Sequence, residues 1–96
     1  MRRFVLGTNR TTAAQDRAFL AILQERFPDV GWWHQLGETW LFVDHNDQLS
    51  TEVIREMAKE AFPDVYVMAI EVGNGRWSAF GEMSDFEWMH DSWQSS

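Results

Sequence analysis

A six-residue segment recurs in this chain with a single change, Arg26 to Ala61. Glu25-Arg26-Phe27-Pro28-Asp29-Val30 returns as Glu60-Ala61-Phe62-Pro63-Asp64-Val65, an offset of 35 from position 25 to position 60. The same offset relates Leu6 to Leu41 and Asn9 to Asp44. Each copy closes a stretch of helical spacing and opens a stretch suited to a strand. Proline lacks a backbone donor and clashes with the preceding turn, so each copy is a helix stop. A repeated helix stop between matching neighbours predicts two tandem β-α-β units.

Within these units the pattern predicts strands over 3–8, 31–36, 39–44 and 65–72, with helices between them. The first helix starts at Thr11 or Thr12, either of which can accept from free backbone N–H groups. Phe19, Leu20, Ile22, Leu23 and Phe27 follow at helical spacing. The second starts at Ser50, with Leu49 and Ile54 as a hydrophobic staple and Glu52 in the first turn. Its apolar stripe is Val53, Ile54, Met57, Ala58, Ala61 and Phe62. Gly37-Glu38 turns the central hairpin, and Gly73-Asn74-Gly75 turns the chain toward a short fifth strand over 76–80. Ser84 caps a last helical segment, in which Phe86, Met89 and Trp93 are spaced by three and four. The order β-α-β-β-α-β predicts an α+β fold of ferredoxin-like type, an antiparallel sheet with both helices on one face. A short C-terminal strand and helix extend it. Residues 1–81 form the domain and 82–96 an acidic, aromatic tail.

The hairpin Gly31-Trp32-Trp33-His34-Gln35-Leu36-Gly37-Glu38-Thr39-Trp40-Leu41-Phe42-Val43-Asp44 is apolar on both strand faces. A sheet with helices on one side needs only one apolar face. The smaller set (Val5, Gly7, Leu41, Val43, Val65, Val67 and Ala69) is assigned to the helix side. The bulkier set, Phe4, Leu6, Trp40, Phe42, Tyr66, Met68 and Ile70, is assigned to the helix-free side. Such a patch exceeds what monomers commonly leave open. Either the tail or a second copy of the chain is expected to cover it.

At 96 residues, 45% hydrophobic and without cysteine, the chain reads as one folded domain with no disulfides and no thiolate chemistry. The formal net charge is -7. It is uneven: five arginines face three acids over 1–30, two bases face seven acids over 31–70, and one base faces five acids over 71–96. That balance argues against bare nucleic acid as a partner and suits a protein with a basic surface. The apolar run after Arg2 and Arg3 is only Phe4 to Leu6, too short for a signal peptide or a membrane span. The expected setting is the cytoplasm.

The runs Gly31-Trp32-Trp33-His34, Thr39-Trp40-Leu41-Phe42-Val43, Leu49-Ser50-Thr51-Glu52 and Arg76-Trp77-Ser78-Ala79-Phe80 resemble the small SinR-family proteins. These are related to the small ferredoxin-like nuclease subunit of CRISPR adaptation complexes and, more distantly, to VapD-type toxins. The resemblance runs from the first strand to about Phe80. It implies a ferredoxin-like homodimer with stacked sheets, the segment after the fourth strand crossing to the partner. In the nuclease relatives the first strand ends in a Tyr-Asp pair, and the aspartates hold a metal between protomers. Here Thr8 and Asn9 stand at those positions. A neutral amide is a poorer ligand than a carboxylate for a hard cation, so this departure weakens the metal-nuclease reading.

The residues themselves name little chemistry. His34, His45 and His90 stand apart in sequence and are read as structural. Asp44-His45-Asn46-Asp47 resembles the start of a calcium loop, but the central glycine is missing and Arg55 holds the twelfth position. No nucleophile stands beside a base. No catalytic, metal or cofactor residue is therefore assigned. Trp32, Trp33, Trp40, Phe42, Trp77, Phe86, Trp88 and Trp93 are the expected anchors of a partner surface, with the acids steering approach.

The expectation is a non-catalytic, homodimeric protein-interaction module. In its sharpest form it is a phage-type inhibitor that covers a basic groove of a defence complex. Two alternatives stand beside it. One is a metal-dependent nuclease with Asn9, Asp44 or Asp47 near the metal. The other is a binder of a nucleotide or small ligand along an arginine edge of Arg2, Arg3, Arg10 and Arg17.

Overall fold

A computed structural model describes residues 1–94 of the chain. Strand β1 (Arg2–Thr8) leads to helix α1 (Ala13–Arg26), strands β2 (Gly31–Leu36) and β3 (Thr39–Asp44), helix α2 (Thr51–Ala61) and strand β4 (Val67–Val72). The sheet is antiparallel in the order β2-β3-β1-β4. This α+β arrangement is compatible with a ferredoxin-like fold. A C-terminal helical segment follows, a 3-10 turn at Met83–Phe86 and then a wide π turn at Met89–Trp93. Residues 75–80 run without regular structure, so the expected fifth strand does not form.

The local signals act as their chemistry requires. Thr12 caps α1 in a reciprocal box. Its Oγ1 accepts from the Gln15 N–H at 3.1 Å, and Gln15 Oε1 accepts from the Thr12 N–H at 2.9 Å. Ser50 caps α2 through the Val53 N–H at 3.1 Å. The two helix stops are near copies in space. Phe27 and Phe62 take φ of -137° and -145°, and each donates its N–H four residues back at 2.8 Å. Val30 and Val65 then each donate to the Phe carbonyl three residues earlier at 3.1 Å. The copies also touch: Arg26 donates to both oxygens of Glu60 at 2.7 Å. That pair holds the Glu60 carboxyl below its usual range.

Apolar residues from α1 and α2 close over one sheet face. Phe4, Leu6, Trp40 and Phe42 are buried against Phe19, Leu23, Ile54, Met57, Ala58 and Phe62. The faces of β1 and β3 are therefore the reverse of the size-based assignment: the bulky residues meet the helices. On β4 that assignment holds, with Val67 and Ala69 packed on this core and Met68 and Ile70 exposed. Two helices leave a wide gap over a sheet, and the large rings of Phe19, Trp40, Phe42 and Phe62 fill it, with neighbouring centroids 4.9–6.4 Å apart. Leu6 and Leu41, matched by the 35-residue offset, lie on opposite faces, because Leu6 pairs with Trp40 and not with Leu41.

Candidate functional site

The pairing registers lay out the second face as three rows across β2, β3, β1 and β4. One row is Gly31, Val43, Arg3 and Val72. The middle row is Trp33, Leu41, Val5 and Ile70. The last is Leu36, Thr39, Gly7 and Met68. The chain's own tail covers the first row and most of the second. Met89 and Trp93 are buried on Trp33, Leu41 and Val43, with Trp77, Phe86 and Trp88 around them. Side-chain hydrogen bonds fasten the tail. The Trp33 indole donates to the Asp85 carbonyl at 2.7 Å, Arg3 Nε to the Trp93 carbonyl at 2.6 Å, and the Trp77 indole to Gln94 Oε1 at 3.2 Å.

The eight expected anchors thus divide. Trp40 and Phe42 lie in the helix-side core, where Trp32 packs beside them. Trp33, Trp77, Phe86, Trp88 and Trp93 come together in the tail-side cluster. Trp33, Trp40, Phe42 and Trp93 are buried within the chain itself and present almost no surface outward.

The uncovered surface is the last row with its flank on β4. Tyr66, Met68, Leu36 and Ile70 are 82%, 66%, 55% and 44% exposed. Strand β4 is also a sheet edge, so one side of its backbone has no neighbouring strand. A shallow depression at this end is bounded by Gly7, Thr8, Asn9, Glu38, Thr39 and Met68. Only the exposure pattern distinguishes these residues. Their sequence signal was the alternation of Tyr66, Met68 and Ile70 against smaller neighbours, while Leu36 carried none.

The remaining polar candidates have structural roles. Asp44 is buried, and its carboxylate accepts from the N–H groups of Asn46, Gln48 and Leu49 at 3.2, 2.8 and 2.8 Å. It therefore shapes the loop into α2. Asp47, at a φ of 56°, pairs with Arg2. Arg2 also meets Glu71 at 2.9 Å, and these hydrogen bonds, Glu71 first, raise its pKa above the ordinary arginine value. Among the described residues no cluster of three or more His, Cys, Asp or Glu side chains is placed to hold a metal. His34 stacks on Trp40 at 3.8 Å, its Nδ1 facing the Thr39 carbonyl and its Nε2 facing Asp16. The arginine edge does not assemble. Arg2 is spent on Glu71 and Asp47, and Arg3 faces the opposite side of the sheet.

No helix among the described residues is long and apolar enough to cross a membrane. Compared with family models and with curated proteins, the chain matches none.

Proposed function

We propose that this chain is a non-catalytic protein-interaction module of ferredoxin-like fold that self-associates through the uncovered end of its second sheet face. The supporting observation is the exposed set Leu36, Tyr66, Met68 and Ile70 beside an open strand edge. Water contact with that much apolar surface is costly, and a second copy related by two-fold symmetry would bury the same strip on both sides. The strand order and the helices on a single face favour the ferredoxin-like reading, and the SinR resemblance implies a homodimer. A cysteine-free chain suits a cytoplasmic setting.

Sedimentation equilibrium tests the reading. The expected result is a dimer that Met68→Glu with Ile70→Glu converts to a monomer, with the far-UV circular dichroism unchanged. A wild-type chain that stays monomeric at about 100 μM, a concentration at which even weak pairs associate, overturns it.

A specific observation favours a further protein partner. Glu82, Glu87 and Asp91 are exposed along the tail, on a chain of net charge -7. Such a surface steers toward a basic one, as expected of a small inhibitor that covers a groove in a defence complex. Neutralising the three acids is expected to slow association with that partner at low salt. An unchanged rate rejects the steering role.

A further inference from the structure

Arg2 and Arg3 are neighbours in sequence with opposite fates. Arg2 is half-exposed and has two carboxylates. Arg3 is only 7% exposed and has none among the described residues. Its one side-chain hydrogen bond among the described residues runs from Nε to the Trp93 carbonyl. A guanidinium carries five N–H donors in a plane, so four are uncommitted within the described residues. Burying a cation without a counter-charge is costly, and proteins commonly meet that cost with an anion.

Arg3 lines a pocket of about 370 Å³ together with Gly73, Asn74, Gly75, Arg76 and Gln94. Among the described residues no carboxylate lines it, although the chain is acidic overall. A second arginine, Arg76, does, and it forms no ion pair among the described residues. Asn74 Oδ1 accepts from the Arg76 N–H at 2.9 Å and so shapes the loop that carries Arg76. Gly75 is required by space: a Cβ there would lie 2.9 Å from both Arg3 Nε and the Trp93 oxygen. The absent side chain lets the loop close on the guanidinium while the pocket stays open.

We infer that this pocket is a binding site for a phosphate group, free or as a monoester, held between the Arg3 and Arg76 guanidiniums. Paired guanidiniums match the fork geometry of phosphate oxygens and do not lose their charge near neutral pH. The site exists only with the tail docked, because the Trp93 carbonyl orients Arg3 and Gln94 forms part of the wall. Bound phosphate therefore stabilises the docked tail by linkage. This site lies on the first row of the sheet face, away from the apolar strip proposed for self-association, and does not depend on that proposal.

The test is titration of the full chain with inorganic phosphate against chloride at matched ionic strength, followed by amide and arginine side-chain NMR. Shifts are expected at residues 73–76, at Arg3 Nε–H and at the Trp93 indole. Arg76→Gln, at an exposed position without an ion partner among the described residues, is expected to weaken binding about tenfold while the melting temperature without phosphate stays put. Gly75→Ala is expected to weaken it as well, by crowding Arg3. Acetate at the same concentration is expected to shift these signals less than phosphate. Phosphate shifts matched by a phosphoserine peptide identify a macromolecular source, and phosphate shifts without them a small-molecule source; both support the site. No shifts beyond those of chloride, shifts centred on Arg10 and Arg17, or an Arg76→Gln variant that binds as tightly as the wild type would overturn it.

Discussion

Two aromatic clusters share one sheet and differ in how they are held. On the helix side, Phe19, Trp40, Phe42 and Phe62 are fixed by capped helices and strand ladders, and every member belongs to regular structure or its cap. On the tail side, Trp33, Leu41 and Val43 are covered by a segment of 3-10 and π turns. Such turns are poorly stable alone, so docking is what orders them. The contacts that fasten them span the chain: Trp33 reaches Asp85 and Arg3 reaches Trp93. The difference teaches that equal aromatic content does not mean equal roles. One cluster makes the fold, and the other closes a face that the fold leaves open.

The largest effect is expected at Phe42. Phe42→Ala removes a fully buried ring between sheet and helices, at a cost of about 3–5 kcal/mol in urea unfolding. Loss should be cooperative, with helix and sheet signals falling together. Asp44→Ala comes next at about 2–3 kcal/mol, because three backbone N–H groups lose their acceptor. Trp33→Ala tests the other side of the comparison. Its cost is capped by the free energy of docking the tail, about 2 kcal/mol, since the tail can detach while the rest stays folded. Hydrogen exchange should then rise across 83–93 and stay low in α1 and α2. If Trp33→Ala costs as much as Phe42→Ala and melts the helices, the two clusters are one cooperative core and the distinction fails.

The smallest effect concerns the clamp between the two repeat copies. Arg26 lowers the Glu60 pKa in the folded state. That stabilisation is full above the unfolded carboxyl value, about 4.3, and fades as pH falls through the lower folded value. Glu60→Gln is therefore expected to lower stability slightly at pH 7, with the difference from the wild type vanishing as pH falls below about 4, so that the acid limb is flatter. An unchanged acid limb would mean that the exposed pair contributes nothing measurable.

Much of this was readable in advance for local reasons. The Phe-Pro-Asp-Val stops, the Ser50 cap and the Gly37-Glu38 turn each rest on interactions within a few residues. The spacing of Phe86, Met89 and Trp93 correctly marked one face of the tail segment. The fifth strand failed because strand formation needs a partner edge, and 76–80 pairs with none: Trp77 packs on Phe86 and His90 of the tail while Arg76, Ser78, Ala79 and Phe80 are exposed. Arg3 was grouped with Arg2, Arg10 and Arg17 by sequence proximity, although strand alternation sends consecutive residues to opposite faces. The exposed strip escaped notice at Leu36 because a bulge between Trp33 and Leu36 turns that side chain to the second face.

What the sequence alone determined is the succession of elements and their ends, since caps, turns and proline stops are short-range chemistry. It also determined that both sheet faces would be apolar. Which face met the helices was decided only in three dimensions. Alternation with a period of two names two faces without ranking them, and here both were apolar. On β1 and β3 the choice fell to volume: the gap beneath two helices takes the large rings, and the opposite face takes Val5, Leu41 and Val43 beneath a short aromatic tail.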